Sequence, residues 1–304
     1  MSRRVAFVTG ASRGIGKAIA VHLARAGFDV AISARTLNDG ESREISSTVA
    51  KSDNRPLPGS LSATAELVSA EGREVMPLPA DLLDRASLGA AAGRVIERWG
   101  GVDVLVNNGR YVGPGHMDRI LDTPLELLDK HLQANAMAPL VLCKALLPGM
   151  LERGSGTIVN ITSTSGMADP AQPAGEGGWG LGYGFSKAAL HRIAGILHTE
   201  HFGQGIRAYN VQPGYISTER IAMSMSEFGF EDTGEPPDVV GSVCAWLATS
   251  PEAGELSGRN IEAQFLCHEK GLLPGWDGPK FNDFEMRYDR SGAIAEELNQ
   301  SLRK

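Results

Sequence analysis

Cysteine is scarce: Cys143, Cys244 and Cys267 are the three in 304 residues. They stand too far apart for a disulfide framework and form no CxxC pair suited to a structural zinc, so a reducing cytoplasm is the expected setting. Basic residues are the minority, 29 against 36 acidic, for a formal charge of −7. A broad phosphate-tracking surface for nucleic acid is therefore not expected, and any anion site must be local. Long apolar runs are missing too. Val5–Val8 is far shorter than a signal-peptide core, and no run reaches the ~18 residues of a spanning helix, so no membrane association is expected.

What remains is globular in composition, 42% hydrophobic and 21% charged, at a length that allows one large domain or two small ones. Glycine is abundant, at 37 residues, which suits a chain with several tight strand-to-helix turns. Val5–Val8 is followed by glycines and then by a helical pattern over 15–26, with Ile15, Ile19, Leu23 and Ala26 on one face. Further strands are expected at 30–34, 75–78, 102–106, 157–161 and 206–211, with helices between most of them. Strands alternating with helices imply right-handed crossovers and a doubly wound parallel α/β sheet in a single domain, 1–266, followed by an extension, 267–304.

Three segments read as additions. Residues 37–60 are polar, carry Pro56 and Pro58 and predict a loop before a helix around 63–70. Residues 166–184 hold seven glycines and Trp179 and predict a mobile loop. In the tail, Ile294, Leu298 and Leu302 recur at helical spacing behind Ser291, which predicts a short terminal helix at a subunit contact.

The chemistry gathers in the turns. Gly10, Gly14 and Gly16 lie between a strand and a helix, where backbone amides and the helix dipole can face a pyrophosphate. An ordinary glycine-rich turn is the alternative. Tyr183 and Lys187 stand four positions apart, on one helical face, and a neighbouring ammonium favours phenolate over phenol. A tyrosine so placed can exchange a proton with a carbonyl oxygen, although the pair alone could be an exposed helix pair. Ser163 follows a strand and Asn135 lies in a helix. His198 and His201, with Glu200 beside them, could imitate a metal pair, but no third ligand is evident and no metal is expected.

Thr9–Gly16, the Asn107-Asn108-Gly109 turn, Asn135, Ser163, Tyr183/Lys187 and 213–218 together resemble the short-chain dehydrogenase/reductase family in order and spacing, over roughly 5–262. The resemblance implies a catalytic tetrad: Tyr183 as general acid/base, Lys187 holding the nicotinamide ribose, Ser163 donating to the substrate oxygen, and Asn135 anchoring a water. It also implies cofactor contacts at Gly10, Ser12, Arg13, Gly14, Ile15, Gly16, Arg35, Asp81, Leu82, Asn108, Tyr183, Lys187, Pro213, Gly214, Ile216 and Thr218. No acidic residue ends the second strand, and Arg35 with Arg13 favours NADP(H), with NAD(H) possible. The expected reaction is hydride transfer between NADP(H) and a small-molecule carbonyl or secondary alcohol, in a homotetramer or homodimer built through the helices of Asn135 and Tyr183. A carrier-bound 3-oxoacyl reductase, with Arg110, Arg119 and Arg220 as a docking patch, and a non-catalytic NADP(H)-binding regulator are the alternatives.

Two departures from the family stand out. Arg110 replaces a small residue after Asn107-Asn108-Gly109 and is expected to point outward, and the span from Ser163 to Tyr183 is long. Met223, Met225, Phe228 and Phe230 fall where the family carries its substrate lid and could form an apolar pocket wall or simply pack on their own domain.

Overall fold

The computed structural model describes residues 3–228 and 233–279, with 224–226 described in backbone alone. The proposed terminal helix at 294–302 and Phe230 lie outside the described residues.

The chain opens with strand β1 (Val5–Thr9), helix α1 (Gly14–Arg25) and strand β2 (Asp29–Ala34). Every residue of β1 is buried, as in a strand covered on both faces, which is why it reads as an unbroken apolar run rather than an alternation. Helix α2 (Leu61–Ala70) is capped by Ser60, whose hydroxyl accepts from the Ala63 N–H at 3.1 Å. Strand β3 (Val75–Pro79) precedes α3 (Arg85–Trp99), which begins where the Asp84 carboxylate accepts from Ala86 and Ser87 and stops at Gly100, left-handed at φ 79°. Strand β4 (Val104–Asn107) starts two residues later than the sequence suggests.

Helices α4 (Leu125–Leu132) and α5 (Ala138–Glu152) are joined by one π-helical turn, Gln133–Met137. The joined helix is long and apolar enough to cross a membrane by length and composition, with a mean hydropathy of 1.4 over its most apolar window. Half of that window is buried, and Leu142, Cys143, Leu146 and Met150 pack in the core. Counting unbroken apolar runs missed this helix because polar residues interrupt it.

Strand β5 (Gly156–Ile161), helix α6 (Leu181–His201) and strand β6 (Ile206–Gln212) follow, then α7 (Glu219–Ser224) with a 3₁₀ turn (Met225–Phe228), α8 (Asp238–Thr249), strand β7 (Asn260–Glu262) and α9 (Ala263–Glu269). The irregular segment after β5 ends at Gly180, so Gly182 and Gly184 are helical rather than part of a loop.

Among the described residues seven strands form one parallel sheet in the order β3-β2-β1-β4-β5-β6-β7. Helices α1 and α8 cover one face around Ile19, Leu23, Val240 and Val243; α3, α5 and α6 cover the other around Leu88, Leu142 and Leu190. This is the doubly wound Rossmann-type fold in a single domain. Strand order reverses between β1 and β4, which opens a crevice at the carboxyl ends of those strands.

Candidate active site

The crevice is walled by the turn after β1. Gly10 is left-handed at φ 65°, and a Cβ there would lie 2.6 Å from Gly109 Cα, so only glycine lets this turn pass so close to the end of β4. Asn108 locks the approach, donating from its side chain to Thr9 O at 2.9 Å and Gly10 O at 3.2 Å. Arg13 precedes α1 without a side-chain cap, so no side chain claims the first N–H groups of the helix.

Helix α6 brings Tyr183 and Lys187 to the same cleft, which Gly10, Gly16, Asp81, Leu82, Asn108 and Thr218 also line. Lys187 is buried and its Nζ donates to Ile161 O at the end of β5 at 2.6 Å. Burial, with the charge of Arg110 as a second cause, pushes its pKa down to about 7. Nζ lies 5.9 Å from the centre of the Tyr183 ring. The Tyr183 hydroxyl makes no hydrogen bond among the described residues and is open to a ligand. Gly166, beyond β5, packs on the α6 backbone: a Cβ there would lie 2.7 Å from the carbonyl carbon of Lys187.

Ser163 sits just past β5, where its hydroxyl oxygen accepts from the Ser165 N–H at 3.3 Å and caps a 3₁₀ turn, Thr164–Gly166. Asn135 lies in the π-helical turn, fully buried. Its Oδ1 accepts from Tyr111 N at 2.6 Å and its Nδ2 donates to Ser186 Oγ at 2.9 Å, tying the loop after β4 to α6.

Arg110 does not point outward. Its guanidinium carbon lies 5.7 Å from the centre of the Tyr183 ring, and Nη1 donates to Tyr111 O at 3.0 Å. The turn after β4 opens on the crevice, and the side chain that follows it lines the cleft. Sequence reasoning also missed His116, which is buried with its ring centre 4.4 Å from that of Tyr183 and its Nδ1 without a partner. Desolvation and the surrounding cations hold His116 neutral far below its ordinary range, and burial pushes His131, edge-on to Tyr111, down to about 4. Its position after a carboxyl strand end was the one signal for His116 available in the chain.

Residues 37–60 form a strap across the cleft. Arg13 donates to the carbonyl oxygens of Leu57, Pro58 and Gly59, Arg220 to Ile45 O and Ser47 Oγ, and Asp118 accepts from Thr48 Oγ1 and Val49 N. Arg13 thus lines the cleft while its guanidinium holds the strap.

The model of the family described as short chain dehydrogenase matches residues 4–54 and 43–227. The chain belongs to the short-chain dehydrogenase family. It is 32% identical over 225 residues to a mouse (Mus musculus) protein named dehydrogenase/reductase SDR family member 7, covering 73% of this chain and 58% of that protein, less than two thirds of its length. It is 31% identical over 284 residues to oxidoreductase UcpA of Salmonella typhimurium, covering 90% of this chain and 94% of the other. A solved structure described as a putative short-chain alcohol dehydrogenase from Sinorhizobium meliloti superposes with a TM-score of 0.70 at 28% identity, covering 86% of this chain and 95% of that one.

Within this family frame, Gly10, Ser12, Arg13, Gly14, Ile15, Gly16, Arg35, Asp81, Leu82, Asn108, Tyr183, Lys187, Pro213 and Thr218 line the cleft. Gly214 is left-handed at φ 74° in the turn after β6, and Ile216 is buried in the core beneath it. Asp81 accepts from Leu83 N at 3.0 Å, a local turn that leaves its second oxygen toward the cleft. His198 bonds Ser257 Oγ at 3.0 Å and His201 bonds Gln204 at 2.7 Å, so each histidine of that pair has its own local partner.

Proposed function

We propose that the chain is an NADP(H)-dependent oxidoreductase that interconverts a small carbonyl compound and a secondary alcohol, with Tyr183 as general acid/base. The observation that carries this reading is the Tyr183–Lys187 pair on α6, opening on the same cleft as the glycine turn, with Lys187 buried and tied to the end of β5.

The residues fit a nicotinamide dinucleotide. The uncapped start of α1 offers free N–H groups to a pyrophosphate, and Gly10 and Gly16 let the turn close on itself and on Asn108 and Gly109 with no side chain between. The Arg35 guanidinium makes no hydrogen bond or ion pair among the described residues, which supports a role on a 2′-phosphate. Glu41, from the strap, lines the same end, but Leu37 N, Asn38 N and Arg43 engage its carboxylate. When bound, the cofactor supplies or accepts the hydride.

The chain's own residues handle the proton and the charge. In reduction the Tyr183 hydroxyl gives its proton to the carbonyl oxygen as negative charge builds there; in oxidation it takes the proton back. Ser163 uses its oxygen as acceptor toward Ser165, which leaves its O–H free to donate to that same oxygen. Asn135 holds Tyr111 and Ser186 in register and so positions the helix that carries the pair.

The 3-oxoacyl carrier reading gains no support, because Arg110 and Arg220 lie in the cleft and Arg119 pairs with Glu176, leaving no patch at its mouth. A catalytic domain over 1–266 with an extension, assembled as a homo-oligomer through α4, α5 and α6, is the accompanying proposal. Exposed Leu125, Phe185 and Ile196 on those helices support it, and light scattering in solution tests it.

The activity test is NADPH and NADH oxidation against ketones, aldehydes, diketones and 3-oxoacyl thioesters, with Tyr183→Phe as control. Turnover should fall by about 10²–10⁴-fold in the variant while NADPH binding, followed by its fluorescence, stays within about threefold. Binding and activity lost together would remove Tyr183 from the proton-transfer role, and tight NADPH binding with no turnover on any class would favour a regulator.

A further inference from the structure

We propose that the substrate of this site carries a carboxylate within a few bonds of its carbonyl, held by the guanidinium of Arg110, so that the reaction interconverts an oxo acid and a hydroxy acid. The proposal rests on the oxidoreductase reading above, and its redox balance is the same: one hydride from the cofactor and one proton from Tyr183 for each carbonyl reduced.

Arg110 is a charged side chain placed where a substrate must sit. It leaves the end of β4 and lies over the ring of the tyrosine that handles the proton, 5.7 Å from the ring centre. A guanidinium has five N–H donors in a planar fork, and here one of them bonds a neighbouring carbonyl, Tyr111 O. Among the described residues no carboxylate pairs with it. Holding such a group half-buried in a cleft without an anion carries a desolvation cost, and a carboxylate is the partner whose two oxygens match the fork.

Two further cations stand close by. Arg220, buried in the same cleft, is directed by its bonds to Ile45 O and Ser47 Oγ at 3.3 Å and 2.6 Å, and Lys187 Nζ lies 5.9 Å from the centre of the Tyr183 ring. The acids that line the cleft have partners of their own: Glu41 accepts from Leu37 N, Asn38 N and Arg43, Asp81 from Leu83 N, and Glu219 from Lys17. The field of Arg110 is felt by its neighbours, since it contributes to the lowered pKa of Lys187, His116 and His131. His116, buried against the Tyr183 ring with Nδ1 unpartnered, packs behind the same ring.

The spacing sets the chemical class. The guanidinium carbon lies 5.7 Å from the centre of the ring whose hydroxyl gives the proton, so a ligand reaching both must carry its two oxygen groups within a few bonds of one another, as in 2-oxo and 3-oxo acids. The other anion that could meet Arg110 is the cofactor's pyrophosphate, but the uncapped start of α1 and the glycine turn already face that group at the other end of the cleft.

The test compares kcat/KM for short and medium-chain 2- and 3-oxo acids with NADPH, and for the matching hydroxy acids with NADP+, each beside its methyl ester. The wild type should favour the acid on the order of 10²-fold, and Arg110→Met should bring the acid-to-ester ratio close to one while NADPH affinity stays within about threefold. Binding is read separately by calorimetry, titrating the same hydroxy acids into Tyr183→Phe protein loaded with NADP+, with and without Arg110→Met. Heat that disappears with Arg110→Met supports the proposal even without turnover, and in that case it is the oxidoreductase reading that fails. Tyr183-dependent turnover of neutral ketones with equal or better rates for esters overturns the proposal and leaves that reading intact. Loss of NADPH affinity in Arg110→Met with an unchanged ratio assigns Arg110 to the cofactor instead, and absence of heat for every acid overturns the proposal on the wild-type residue alone.

Discussion

Lys187 shows how one residue joins packing to chemistry. Its aliphatic stem is buried by α6 and its Nζ reaches the last carbonyl of β5, so the strand end and the helix position one another through the group that would serve the reaction. Asn135 acts in the same way from the π-helical turn, a local widening of the helix that often accompanies functional positions. Asn135→Ala would strand the Tyr111 N–H and remove a donor to Ser186 Oγ. A loss of about 2–3 kcal/mol is expected, read from the urea midpoint at constant m. At the adenosine end, Arg35→Asp should lower the NADPH-to-NADH ratio of kcat/KM by about tenfold or more, because a carboxylate repels the 2′-phosphate and accepts from ribose hydroxyls. An unchanged ratio would show that Arg35 serves another purpose.

At the scale of elements, the strap over 37–60 is the part of the chain with no counterpart in its regular α/β alternation. It has no helix or strand of its own, yet it is held at its far end by Arg13 and in the middle by Arg220 and by Asp118 with the Met117 N–H on Ser47 O. These anchors come from α1, α7 and the loop after β4, the same elements that wall the cleft, so strap and site share their supports. Asp118 contributes three acceptor contacts to strap and loop, to Thr48, Val49 and Gly115. Asp118→Ala should therefore loosen the strap without unfolding the sheet. Trypsin should cut after the exposed Lys51 several times faster, with the cleavage site identified by mass spectrometry. Unchanged cutting would mean that Arg13 and Arg220 suffice to hold it.

The whole molecule adds a pH dependence that follows from burying cationic groups beside a parallel sheet. His131 titrates at about 4 in the fold against 6.5 ordinarily, so between those values the unfolded chain binds more protons. Its contribution to stability is complete above pH 6.5 and is lost as pH falls toward 4, an effect of about 3 kcal/mol. Lys187, at about 7 against 10.5, has the same sign: stability continues to rise with pH above 7. Cys143, whose thiol burial pushes up to about 12, opposes this above 9. The urea midpoint should climb between pH 4 and 9, and His131→Phe should flatten the acid side of the curve. The fold class, the glycine turn and the placing of Tyr183 and Lys187 on one helical face were legible in the chain because each depends on local spacing: a helical period, a strand followed by glycine, four residues between a phenol and an amine; Asn135 and Ser163 were named through the family resemblance. The direction of Arg110, the presence of His116 beside Tyr183 and the course of the strap were not legible. Each depends on contacts between segments tens of residues apart, His116 with Tyr183 and Arg220 with Ser47, and a local pattern carries no information about which distant surfaces the sheet will bring together.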